Sequence, residues 1–115
     1  MDKLDIQWGQ QGYTTFLVIS GSLDSDTSDQ FDQTVTRFIE AGHRWIVLDL
    51  GGLKYLSSAG IGVLVGSANT LRENDGELKL SAVPNNIARV LDMLALLDFF
   101  ESFPDCQTAI NSYNS

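Results

Sequence analysis

The stretch RWIVLDLGGLKYLSSAGIGVLVG (44–66) decides the fold. Its first part, WIVLDL (45–50), is apolar at nearly every position. That pattern belongs to a central strand covered on both faces. Its last part carries Ile61, Leu64 and Val65, continued by Ala68 and Leu71 at amphipathic-helix spacing. Gly51 to Gly60 reads as the loop between them, and ENDG (73–76) stops the helix. A buried strand leading into a helix is the building unit of a parallel sheet.

Working outward, the same logic extends to both termini. Leu4, Ile6 and Trp8 alternate with Asp5 and Gln7, as in a half-buried strand. GQQG (9–12) is a turn, and YTTFLVISG (13–21) a second strand that closes a hairpin. Thr27 and Gln30 have the spacing of a capping box, ahead of Phe31, Val35, Phe38 and Ile39 on one helix face. Gly42 fits the C′ position of that helix. Downstream, Leu78, Leu80 and Ala82 alternate with Lys79 and Ser81, giving another strand. Pro84 opens a third helix with the core stripe Ile87, Val90, Leu91 and Leu94. FFESF (99–103) is a short edge strand and DCQTAINSY (105–113) a last helix. Trp45 is expected in the core.

The order β-β-α-β-α-β-α-(β)-α predicts one α/β domain over residues 1–115. Its mixed sheet has four to five strands, with helices mainly on one face. Strands joined by whole helices are parallel, so the loops at 22–29, 51–60 and 83–86 share the carboxyl edge, where open parallel sheets place their sites.

Composition narrows the function. Fifteen acidic against seven basic residues give a net charge of −8. That argues against nucleic acid and anionic membranes as partners. One cysteine, Cys106, permits no internal disulfide and fits a cytoplasmic home and a packing role. With His43 as the single histidine, no metal site follows. The first ten residues have no signal-peptide pattern, and no apolar run reaches membrane-spanning length. No cofactor is expected.

Two serines and two glycines in YLSSAGIGVLVG (55–66) leave three alternatives. A nucleotide cradle needs its first glycine at the strand-to-helix turn, yet eight or nine residues separate Leu50 or Gly51 from Gly60. The structural alternative to a cradle is that Gly60 and Gly62 let the helix start lie close to the sheet. A nucleophile turn needs G-x-S-x-G and a base, but only the final glycine is present and His43 belongs to the opposite edge. The third alternative is a serine at a helix N-terminus. Ser57 or Ser58 caps the helix. A phosphate there suits the helix dipole, so phosphorylation leaves the fold intact while altering a docked partner.

GSLDSDTSDQF (21–31), the hydrophobic run ending in Asp49-Leu50, Ser58-Ala59-Gly60-Ile61-Gly62 and VLDMLALLDFFESF (90–103) together resemble the STAS domain family, specifically bacterial anti-sigma factor antagonists. The resemblance spans nearly the whole chain. It implies partner switching: the unphosphorylated protein binds an anti-sigma factor that is a serine kinase of the histidine-kinase-like ATPase fold. Phosphorylation ends the interaction, and a PP2C-type phosphatase restores it. The aligned phosphosite is Ser58. Ser57, the neighbouring candidate, stands where an Asp is often found. The docking face implied comprises Asp24, Asp26, Thr27, Leu53, Tyr55, Ser57, Ser58, Ala59, Gly60 and Ile61, extended by Asn85 and Asn86. Leu53 and Leu56 read equally as core residues, and Asp24 as an Asx turn. The family's small-Gly-Leu element reads Leu94-Ala95-Leu96. The alternative function is a constitutive STAS subunit of a transport or signalling complex, without phosphorylation; a small-ligand module is a third.

Overall fold

A computed structural model describes residues 3–114. The elements are β1 (Leu4–Gln11), β2 (Thr14–Leu23), α1 (Ser28–Glu40), β3 (Trp45–Leu56), α2 (Ser58–Glu73), β4 (Glu77–Ser81), α3 (Asn85–Met93), a 3-10 turn (Leu97–Phe99), β5 (Ser102–Phe103) and α4 (Cys106–Asn114). Among the described residues, five strands form one sheet in the order β1-β2-β3-β4-β5. β1 runs antiparallel to β2, and every other pair is parallel. The expected hairpin and crossovers are therefore present. The hairpin turn is tighter than expected: β1 continues to Gln11, and Gly12 turns the chain at φ +61.

Strand alternation assigns the core. Leu17, Ile19, Ile46, Leu48, Leu50, Leu78 and Leu80 point to one face. There they meet Phe31, Val35 and Ile39 of α1, Leu64, Ala68 and Leu71 of α2, and Ile87 and Leu91 of α3. Val47 points the other way, against Ala109 and Ile110 of α4. This second, smaller layer explains the apolar run at 45–50. Lys79 anchors α4: its ammonium donates to Ser112 Oγ at 2.8 Å and lies 4.1 Å from the Tyr113 ring centre. The Tyr113 hydroxyl faces the Ile46 and Glu77 carbonyls, and burial pushes its pKa well above the ordinary tyrosine value.

Four sequence expectations are corrected. Trp45 is 41% exposed, because it begins β3 at the sheet rim and shares its ring with Tyr113 rather than the core. Leu94 is exposed because α3 ends at Met93. Thr27 makes no capping hydrogen bond; its hydroxyl is taken by the Ser22 carbonyl and the Asp24 N–H, while Gln30 reaches the Leu4 carbonyl. Most consequential, β3 does not stop at Leu50 but runs to Leu56. It does so through two irregularities, where the register steps from Val18↔Asp49 to Ser20↔Gly52 and from Gly21↔Leu53 to Ser22↔Tyr55. Each step inserts one residue on β3 and bends it. The first leaves Gly52 so close to β2 that an added Cβ would stand 2.7 Å from Ser20 Cβ.

The end of α3 yields a stability prediction. The Leu96 N–H donates to the Leu91 carbonyl and the Ala95 N–H to the Asp92 carbonyl, while Ala95 sits at φ +57. This is the helix-ending arrangement that glycine fills without strain. Ala95→Gly is expected to raise stability by about 0.5–1 kcal/mol, seen as a higher midpoint in urea unfolding at unchanged slope.

Candidate functional site

The carboxyl ends of the parallel strands bring the three expected loops together. The Ser57 N–H donates to the Leu23 carbonyl at 3.0 Å, tying the end of β3 to the end of β2. The Asn86 side-chain amide donates to the Lys54 carbonyl at 3.3 Å, tying the start of α3 to β3. Because β3 runs to Leu56, Ser57 alone links strand to helix. The long loop expected over 51–60 is absent.

Ser57 is the N-cap of α2. Its backbone is extended, and its Oγ accepts from the Gly60 N–H at 3.3 Å. Ser58 is the first residue of the helix and is exposed. The two serines thus divide the work: one hydroxyl is committed to the helix, the other faces solvent. The first turn of α2 contains no acidic side chain, and N–H groups in a first turn lack intrahelical acceptors. The result is a locally positive helix end beside the Ser58 hydroxyl. Ser57→Ala should cost about 1 kcal/mol, measured as a lower thermal midpoint, because it removes this cap.

The adjoining loop after β2 is self-bonded. Asp24 is buried, and its Oδ1 accepts from the Asp26 and Thr27 N–H groups at 2.9 and 3.2 Å. This is the Asx-turn alternative. Thr27 is buried beside it, and Asp26 is exposed. Leu53 and Leu56 belong to the core, whereas Tyr55 is 55% exposed. Ala59 and Ile61 are half-buried, and Asn85 and Asn86 exposed. The exposed surface near Ser58 therefore presents Asp26, Tyr55, Asn85 and Asn86. Asp24, Thr27, Leu53 and Gly60 lie underneath.

Gly60 is where the sequence reading of the glycines is partly right and partly wrong. The gap that argued against a phosphate cradle shrinks, since Gly60 follows the strand end at Leu56 by four residues. Its Cα nevertheless faces the sheet: an added Cβ would stand 2.4 Å from the Leu23 carbonyl oxygen and 2.8 Å from Leu56 Cδ1. Close approach to the sheet is therefore the reason for Gly60. Gly62 has no such neighbour within 4 Å and plays no part in that approach. The Leu23 carbonyl, which receives Ser57 and crowds Gly60, was not anticipated; Gly21 and Asp24 around it are the sequence signal that marks this strand end.

His43 precedes β3 while Ser58 follows it, and its Nδ1 is engaged by the Thr15 hydroxyl. The single histidine is therefore at the opposite end of β3 from Ser58. Cys106 lies on α4, where burial and the nearby charge of Asp49 push its thiol pKa up, keeping it protonated. Among the described residues, no helix is long and apolar enough to cross a membrane.

An exposed serine at the first position of α2, beside a capping serine, forms a surface suited to binding and modification. Comparison with known proteins gives the family. The STAS domain model matches residues 6–109, and the chain belongs to the STAS domain family. It is 33% identical over 82 residues to a putative anti-sigma factor antagonist, BtrV, of Bordetella bronchiseptica, covering 71% of each chain. It is 31% identical over 96 residues to the anti-sigma-B factor antagonist of Staphylococcus aureus, covering 84% of this chain and 89% of that protein. Among solved structures, an anti-sigma factor antagonist from Mycobacterium paratuberculosis superposes with a TM-score of 0.88 at 17% identity, covering 97% and 95% of the two chains. The unphosphorylated anti-sigma factor antagonist SpoIIAA gives 0.82 at 19%, covering 96% of each.

Proposed function

We propose that the chain is an anti-sigma factor antagonist that works by partner switching at Ser58. The observation that carries this is the exposed Ser58 hydroxyl at the first position of α2, next to a cap that Ser57 already supplies. Curated relatives named as anti-sigma factor antagonists support the partner class.

In the unmodified state, Tyr55, Asp26 and Ser58, with Ala59 and Ile61 at their edge, dock an anti-sigma factor. Asp24, Thr27, Leu53 and Gly60 hold that surface in shape from below. The anti-sigma factor is also a serine kinase of the histidine-kinase-like ATPase fold. The Ser58 Oγ attacks the γ-phosphorus of ATP: the Oγ–P bond forms, the bond to ADP breaks, and the hydroxyl proton passes to a kinase base. The phosphate brings about −1.5 to −2 charges onto the helix start, which accepts them without unfolding. The partner meets a new charge and a bulky group where it had packed on a hydroxyl. A PP2C-type phosphatase hydrolyses the ester and resets the protein.

A structure of a sulfate transporter family protein from Wolinella succinogenes shares the fold, with a TM-score of 0.77 at 15% identity. The second reading is a constitutive STAS subunit of a transport or signalling complex, without phosphorylation. Calorimetric titration of the chain into the host's anti-sigma factor kinase, without and then with Mg-ATP, separates the two. Binding followed by loss of binding on ATP addition supports switching. Binding that persists with ATP supports a constitutive subunit.

A further inference from the structure

We infer that β1 pairs with β1 of a second copy, joining two sheets into one across a twofold axis at Gln7. β1 is the sheet edge, bonded on one side only. The Ser22 N–H donates to the Lys3 carbonyl, and Leu4 stands opposite Gly21, so odd-numbered residues of β1 turn their bonding groups to β2. Even-numbered residues turn theirs outward. At that edge the Leu4 carbonyl is covered by the Gln30 amide at 3.1 Å. Ile6, Trp8 and Gln10 have no partner there among the described residues. The strand carries no proline or lysine and one charge, Asp5, so the usual protection of an edge is missing.

The side chains beside this edge favour a copy of the same strand. A groove of about 560 Å³ lies along it, walled by Ile6 and Trp8 on the strand and by Thr34, Arg37 and Phe38 on α1. Trp8 is 58% exposed, with its ring 5.0 Å from that of Phe38. Antiparallel self-pairing about Gln7 sets Ile6 against Trp8 of the second copy, and Trp8 against Ile6. Both are outward-bonding residues, and they form aromatic–β-branched pairs on the groove face. The same register sets Asp5 opposite Gly9 of the second copy, which keeps the two carboxylates apart. Registers centred on Ile6 or Trp8 lose the two mixed pairs. The site near Ser58 is at the strand ends, so both copies keep it open.

The interface is small and each chain carries −8, so association is weak and strengthens with salt. The test is cross-linking of the full chain with Cys106→Ser as background, at about 0.1–1 mM, where small interfaces are populated. Gln7→Cys places two thiols across a non-hydrogen-bonded pair with Cα atoms about 4.5 Å apart, within disulfide range. Asp5→Cys leaves its thiols about 13 Å apart, four residues out of register. With oxidised glutathione, Gln7→Cys is expected to give a covalent dimer at least ten times faster than Asp5→Cys. In sedimentation equilibrium, the unmodified chain is expected to show a dimer fraction that rises with ionic strength. Equal cross-linking of the two variants, or none, overturns the register. A chain monomeric up to about 1 mM at high salt overturns the dimer and leaves the edge to a strand of another protein.

Discussion

Ser58→Asp is expected to weaken binding to the anti-sigma factor kinase by about 100-fold or more, while the thermal midpoint moves by no more than about 2 °C. The asymmetry follows from where Ser58 sits. Its side chain is exposed and its hydroxyl makes no hydrogen bond to the described residues, so the substitution removes little that stabilises the domain. A carboxylate at the first position of α2 is favoured by the helix dipole by some tenths of a kcal/mol. In the proposed complex the partner, in contrast, must bury a charge where it met a hydroxyl, and an unpaired charge in an interface costs roughly 2–5 kcal/mol. Ser58→Ala should bind with near-native affinity and no longer release on addition of Mg-ATP. Calorimetry supplies both affinities. Equal affinity of Ser58→Asp and the unmodified chain would remove Ser58 from the interface.

The second large effect is on the fold. Gly60→Val should destabilise by about 3 kcal/mol or more, because its Cβ meets the backbone oxygen of Leu23 at 2.4 Å. Neither neighbour yields cheaply: one is strand backbone and the other is Leu56, a core residue. Relief requires α2 to lift off β2, which also moves Ser58. The same α2 offers the control. Gly62→Ala meets nothing within 4 Å and should stabilise by about 0.5–1 kcal/mol through helix propensity. Thermal unfolding of both variants reads the contrast. Similar behaviour of the two would contradict the close approach at Gly60.

These sites also show why the sequence was legible in some places and not in others. WIVLDL is a continuous apolar run and the Ile61–Leu71 stripe has helical spacing, so the central β-α unit and its parallel order could be read directly, and the alternation of Leu4, Ile6 and Trp8 gave the hairpin. β3 was cut short at Leu50 because Gly51-Gly52 has loop composition. In the structure the register step falls at these glycines and Gly52 lies against Ser20, a contact across the sheet that no local pattern encodes. Thr27 had the spacing of a capping box, yet the Ser22 carbonyl and the Asp24 N–H, both close in space, took its hydroxyl instead. Trp45, expected in the core, stands at the first position of β3 and so lies on the rim. At the site, the convergence of the three loops followed from topology alone. Which residues face outward did not: Asp24 and Tyr55 are both polar-tipped, and only the tertiary fold buries one and exposes the other.

The proposed partner switching rests on one modification at one atom. The most direct test captures the chain on its partner from host lysate, adds Mg-ATP, and maps the mass of the released and the retained fractions by fragmentation. The released chain is expected to carry a single phosphate on Ser58, with Ser57 unmodified and the retained chain bare. Release without phosphate, phosphate confined to Ser57, or a phosphorylated chain still bound would contradict switching at Ser58.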